Sequence, residues 1–171
     1  MKYTIYKNFL SVESFKKIRR LIVDTEDFPW RKRDHMTGGE SGMYFTYCFY
    51  NHMKPTSDFY TPFIIPILNQ LHAHAAIQVR ANMFISAVFK ASDWHNDYEF
   101  KCKTAILYLN DCDGGTELNI EDKIIFVKAE ANKMLVFDTP IFHRAITSQK
   151  ALVRYIINFN YFRDEGASYR T

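Results

Sequence analysis

From Gln78 onward the chain reads as one strand after another. Strands are expected at about 78–89, 103–109, 116–120, 123–128, 133–138, 141–146 and 151–162. Gly114-Gly115 and Thr147-Ser148-Gln149-Lys150 punctuate them as turns. The text before Gln78 is different. A short strand fits 3–6. Ser11 then reads as an N-cap, with Glu13 where the helix dipole favours it. Val12, Phe15, Ile18 and Ile22 follow at helical spacing to an end near Asp24. Residues 31–42, charged and carrying Gly38, Gly39 and Gly42, predict a mobile loop and a candidate substrate lid. Met43–Tyr50 predicts a strand, and Asp58–Ala75 a second helix with Pro62 near its start and Pro66 as a kink. Helices followed by seven strands predict an α+β fold with an antiparallel sandwich or barrel. One domain over 1–171 is expected, with helical support over about 1–75 and the strand-rich core over about 78–162.

Composition narrows the function classes. Phe, Tyr and Trp make up 16% of the 171 residues, which suits strands and excludes disorder. A net charge of +3 is too mild to predict a nucleic-acid partner. The one basic knot, Arg31-Lys32-Arg33, is followed at once by Asp34 and reads as a solvated loop or a polyanion site. Cys48, Cys102 and Cys112 lack C-x-x-C spacing, so a reduced, cytoplasmic setting is expected. The first residues carry no signal-peptide core, and the apolar runs are too short for a membrane span.

The last strand has two unlike faces. Val153, Tyr155, Ile157, Phe159 and Tyr161 form an apolar face suited to burial against the helices. Arg154, Ile156, Asn158, Asn160 and Phe162 form the other, either a solvated face or the lining of a polar cavity. If residues 146 and 151 close a hairpin, His143 stands directly opposite Arg154.

His95 and Asp97 form a His-x-Asp, and His143 lies 46 residues beyond Asp97. Two imidazoles and one carboxylate on one face of an octahedron are the ligand set of non-haem Fe(II) oxygenases. A satisfied core histidine is the plainer reading of His95. His35 and His52 read as loop and strand-end residues. His72 and His74, two apart on the expected helix, face different ways.

From about Asn82 to Phe162 the sequence resembles the 2-oxoglutarate/Fe(II)-dependent dioxygenases, and among them the prolyl 4-hydroxylase-like branch. The resemblance is carried by His95-Asn96-Asp97, Thr104-Ala105-Ile106-Leu107-Tyr108-Leu109-Asn110, Gly114-Gly115-Thr116-Glu117-Leu118, Met134-Leu135-Val136-Phe137, His143, and the run Arg154 to Phe162. It implies a double-stranded β-helix, or jelly roll. It implies Fe(II) on His95, Asp97 and His143, with 2-oxoglutarate and dioxygen as cosubstrates and ascorbate as a further candidate. Arg154, eleven residues past His143, matches the basic residue that pairs with the distal carboxylate of 2-oxoglutarate, a role suited to a planar guanidinium. Tyr108 matches a tyrosine that supports the same carboxylate. Asn158 falls where relatives have a small hydroxyl residue near the cosubstrate. Relatives carry a tyrosine in the strand before His-x-Asp, where Phe89 stands here. The implied reaction is oxidative decarboxylation of 2-oxoglutarate coupled to hydroxylation of a substrate C–H. A peptidyl proline is the branch default, with another peptide, protein or small molecule as the broader class. Two other readings are a cupin-type metalloenzyme without 2-oxoglutarate and a non-catalytic jelly-roll binding module.

Overall fold

Strand pairing sorts the chain into two sheets. The computed structural model describes residues 3–34, 42–86 and 90–163. The large sheet runs in the order β1 (Tyr3–Tyr6), β9 (Met134–Asp138), β6 (Lys103–Tyr108), β11 (Val153–Arg163), β5 (Ala73–Ile85), β3 (Tyr44–Asn51) and β2 (Arg31–Arg33), with the short β4 (Lys54–Pro55) also on β3. The small sheet is β10 (Phe142–Ile146), β7 (Gly115–Ile120) and β8 (Lys123–Lys128). Bridges Ala91↔Ile146 and His95↔His143 lay residues 91–95 along the free edge of β10. Antiparallel pairing throughout, with the chain passing back and forth between facing sheets, is the jelly-roll arrangement.

Helix α1 (Val12–Ile22) starts where Ser11 Oγ accepts the Ser14 N–H at 3.2 Å. It buries Ile18 and Ile22 on the outer face of the large sheet. That face is the apolar side of β11: Ile157, Phe159 and Tyr161 are each 0% exposed within one core with Leu107, Val79 and Ala81. Each such large side chain contributes roughly 1.5–3 kcal/mol of burial. A second apolar cluster, including Tyr108, Leu118, Val127, Leu135, Phe137 and Ile156, fills one end of the space between the sheets. The other face of β11 therefore lines the sandwich interior, and Arg154, Asn158 and Asn160 are all buried there.

Several expectations need correction. The second helix is shorter than Asp58–Ala75. A wide π-helical segment, Tyr60–Ile64, runs into α2 (Ile65–Gln70), which has Pro66 in its first turn. His72 turns the chain at φ 54°, and Ala73 already begins β5. His74 thus lies on a strand, where pairing of 73–76 with Tyr161–Arg163 overrides the helical composition of Ala-His-Ala-Ala. The first 75 residues contribute strands β1 to β4 as well as helices. Arg31–Arg33 is an edge strand on Tyr44–Thr46 rather than loop, while residues 35–41 of that expected loop lie outside the described residues. The 146/151 hairpin does not form. His143 pairs with Leu118 on the small sheet, and Arg154 pairs with Phe84 on the large one. The segment 147–152 is a crossover between sheets, so His143 and Arg154 stand on different sheets instead of side by side.

Candidate metal centre

His95 and His143 sit opposite each other on two paired backbones. The His95 N–H donates to His143 O at 3.0 Å, and the His143 N–H donates to His95 O at 2.8 Å. Their rings come within 4.5 Å, centroid to centroid. Each Nδ1 lies near a backbone carbonyl, His95 to Asp93 O at 3.0 Å and His143 to Ile141 O at 3.3 Å. An Nδ1–H donated to those carbonyls leaves each Nε2 as a lone-pair donor. Both Nε2 atoms point at Asp97 Oδ1, from 3.9 and 3.8 Å. One ligand atom from each of the three residues lies within 4.8 Å of the others, a spacing one divalent ion could bridge.

Asp97 is held from behind. Its Oδ2 accepts from Asn160 Nδ2 at 2.7 Å, Thr104 Oγ1 at 3.2 Å and Asn158 Nδ2 at 3.3 Å. Oδ1 is left facing the histidines. Burial pushes the Asp97 carboxyl up, but His143, the Asn160 amide, His95 and the Asn158 amide together hold it below its ordinary range. Burial lowers His143, against the pull of Asp97, which favours the neutral imidazole a metal needs. Asn160 and Thr104 were given no role by the sequence reading. The period-two face of β11 does place Asn160 beside Asn158, so the signal was present as a second amide on the polar face.

A cavity of about 60 Å³ lies over these groups, lined by His95, Asp97, His143, Asn158, Arg80 and Phe84 among others. Arg154 and Tyr108 do not line it. Arg154 is 1% exposed, donates from Nη1 to Gly115 O at 2.5 Å, and packs its guanidinium 4.6 Å from the centre of the Phe84 ring. Its Nε is buried without a hydrogen-bond partner. Tyr108 donates from its hydroxyl to Thr116 Oγ1 at 2.8 Å, and burial pushes it up to about 12. Phe89 lies outside the described residues. Asn158 meets Asp97 rather than Arg154, and its Oδ1 is also buried and unpartnered.

No known sequence family matches the chain, and no curated protein does. Solved structures match its fold. An oxidoreductase of the 2OG-Fe(II) oxygenase family from Burkholderia pseudomallei aligns at TM-score 0.73 and 12% identity, over 99% of this chain and 89% of that one. A prolyl hydroxylase from Trichoplax adhaerens, in complex with a hypoxia inducible factor peptide fragment, aligns at TM-score 0.71 and 14% identity, over 94% and 83%. The non-heme alpha ketoglutarate dependent carbocyclase SnoK aligns at TM-score 0.68 and 13% identity, over 95% and 79%. The chain thus has the jelly-roll fold found in 2-oxoglutarate/Fe(II) oxygenases. Neighbours with different chemistries align about equally well, so the fold does not single out the prolyl hydroxylase branch. No helix among the described residues is long and apolar enough to cross a membrane.

Proposed function

We propose that this protein is a non-haem Fe(II) oxygenase that couples oxidative decarboxylation of 2-oxoglutarate to hydroxylation of a substrate C–H. The observation that carries the proposal is the division of labour on Asp97, with one oxygen fixed by three donors and the other aimed with two imidazole Nε2 atoms at a common point. The residues present fit an iron ion: two neutral nitrogen donors and one carboxylate form a facial set with open positions. They also fit a dicarboxylate, since Arg154 has a buried, unpartnered Nε and, among the described residues, no carboxylate against it.

With iron and 2-oxoglutarate bound, the chemistry supplied is the splitting of dioxygen, one atom entering the C–H and the other entering succinate as carbon dioxide leaves. The chain's own tasks are binding, orientation and exclusion of water. His95, Asp97 and His143 hold the metal. Arg154 pairs with the distal carboxylate of the cosubstrate, which calls for the Phe84 wall to yield. Tyr108 keeps its proton at physiological pH and donates its hydroxyl hydrogen to Thr116 Oγ1, fixing the Thr116 hydroxyl at the cavity wall. Asn158 acts on Asp97 and leaves its free Oδ1 as an acceptor at the site. The substrate belongs to the peptide or small-molecule classes bound by such folds, and a peptidyl proline is one member.

The test is succinate formation from 2-oxoglutarate by the full chain, with Fe(II) and dioxygen, in the absence of prime substrate. Slow, iron-dependent succinate release that disappears in His143→Ala is expected. No succinate above the His143→Ala background would overturn the proposal.

A further inference from the structure

Beside the metal centre, a second cavity of about 320 Å³ is lined by Arg31, Arg33, Thr46, Cys48 and Arg80 among others. It lies within the size range of small-molecule sites, roughly 300–1,000 Å³. Arg80 lines both cavities and so stands between them. The strand register explains why. Cys48, Arg80, Asn158 and Ile106 form one rung across the sheet, and Arg31, Thr46, Asn82, Ile156 and Tyr108 form another. Strand β2 thereby extends the inner face of the large sheet outward from Asp97's amide partners and adds Arg31 and Arg33 to it.

The charge on this wall is of one sign. The charged residues lining the cavity are Arg31, Arg33 and Arg80, with no carboxylate among them. Among the described residues none of the three has an ion-pair partner, although Lys32, on the opposite face of β2, is paired with Asp34 at 2.6 Å. Arg80 Nε is buried with no hydrogen-bond partner. A buried guanidinium N–H without an acceptor is unfavourable, and a cavity lined by three arginines and no carboxylate suits an anion.

We propose that the substrate is a small organic anion, bearing a phosphate or carboxylate group that Arg80, Arg31 and Arg33 receive while its reacting carbon lies over His95, Asp97 and His143. This rests on the oxygenase reading and deepens it. Arg80, between the cavities, fixes how far the charged group lies from the reacting C–H. Arg31 and Arg33, on the exposed edge strand, draw the anion in and pair with its outer oxygens.

The experiment is anaerobic calorimetry on the full chain loaded with Fe(II) and 2-oxoglutarate, titrated with inorganic phosphate and, separately, with propane-1,2,3-tricarboxylate. The parent should bind at least one of them. Phosphate alone would identify a phosphoester substrate, the tricarboxylate alone a carboxylic acid, and either supports the proposal. Arg80→Gln and the double variant Arg31→Gln/Arg33→Gln should each weaken that binding about tenfold or more, the loss of a charge-assisted hydrogen bond. Arg80→Lys should recover only part. The double variant alters exposed positions only, so the proposal stays testable if Arg80→Gln folds poorly. Absence of anion binding in the parent, or binding unchanged in the double variant, overturns the proposal. So does an Arg80→Gln protein whose defect falls on 2-oxoglutarate affinity, which would assign Arg80 to the cosubstrate. The oxygenase reading fails separately: Arg-dependent anion binding by a chain that makes no succinate leaves the anion site standing and removes the reaction.

Discussion

Replacing Asn160 with leucine tests the arrangement that aims Asp97. Asn160 is 1% exposed, and its Nδ2 makes the shortest of the three contacts to Asp97 Oδ2, at 2.7 Å, while also reaching Thr104 Oγ1 at 3.0 Å. Leucine roughly keeps the volume and removes the donor. A hydrogen bond to a charged group is worth about 1.5–3 kcal/mol. The two remaining contacts, at 3.2 and 3.3 Å, are too long to take its place fully. Fe(II) affinity should therefore fall about ten- to a hundredfold. The pH dependence adds a second signature. Hydrogen bonding from Asn160 is one of the causes that keep Asp97 below its ordinary value against burial. Without it the carboxylate protonates at higher pH, and the acid limb of metal binding moves upward. Anaerobic calorimetry from pH 5 to 8 reads both. A folded Asn160→Leu protein with parental Fe(II) affinity and an unmoved acid limb would refute the reasoning.

Arg154→Leu should weaken 2-oxoglutarate binding by about 2–5 kcal/mol while Fe(II) binding survives, measured by competition with a fluorescent dicarboxylate; equal weakening of both would mean a collapsed interior instead. Phe159→Ala, at a position 0% exposed, should cost about 3–5 kcal/mol in denaturant unfolding. Gly115→Ala should cost about 1–3 kcal/mol, because the new Cβ meets Val127 O and its neighbours on β8. In the metal-free protein, His143 is lowered from 6.5 by burial, so the unfolded chain takes up its proton first and stability falls as pH drops below 6.5. His143→Gln should flatten that part of the curve, and an unchanged slope would show that His143 is not held neutral.

The clustering of His95, Asp97 and His143 was legible from their chemistry. His95 and Asp97 stand two apart, and His143 supplies a third donor on a strand of its own, which the pairing of the two backbones brings beside His95. The polar face of β11 was legible from the period of two. What the sequence left hidden is tertiary. Asn160 and Thr104 stand in runs that carry the resemblance but have no role there, and the pairing of Asn160 with Thr104 on β6 brings both to Asp97. The expected neighbours His143 and Arg154 were separated because 147–152 changes sheets, which local turn signals do not encode. Ala73–Ala76 has helix-forming composition, yet strand pairing decides its conformation. Arg31–Lys32–Arg33 reads as a polar loop in isolation and gains its meaning from Tyr44–Thr46 alongside.

The most direct test of the account is anaerobic titration of the metal-free full chain with Fe(II), beside Asp97→Ala. One equivalent bound by the parent, with stoichiometric binding abolished in the variant while its thermal unfolding remains cooperative, is the predicted result. Unchanged Fe(II) binding by a folded Asp97→Ala protein would contradict the assignment of His95, Asp97 and His143 as the metal centre.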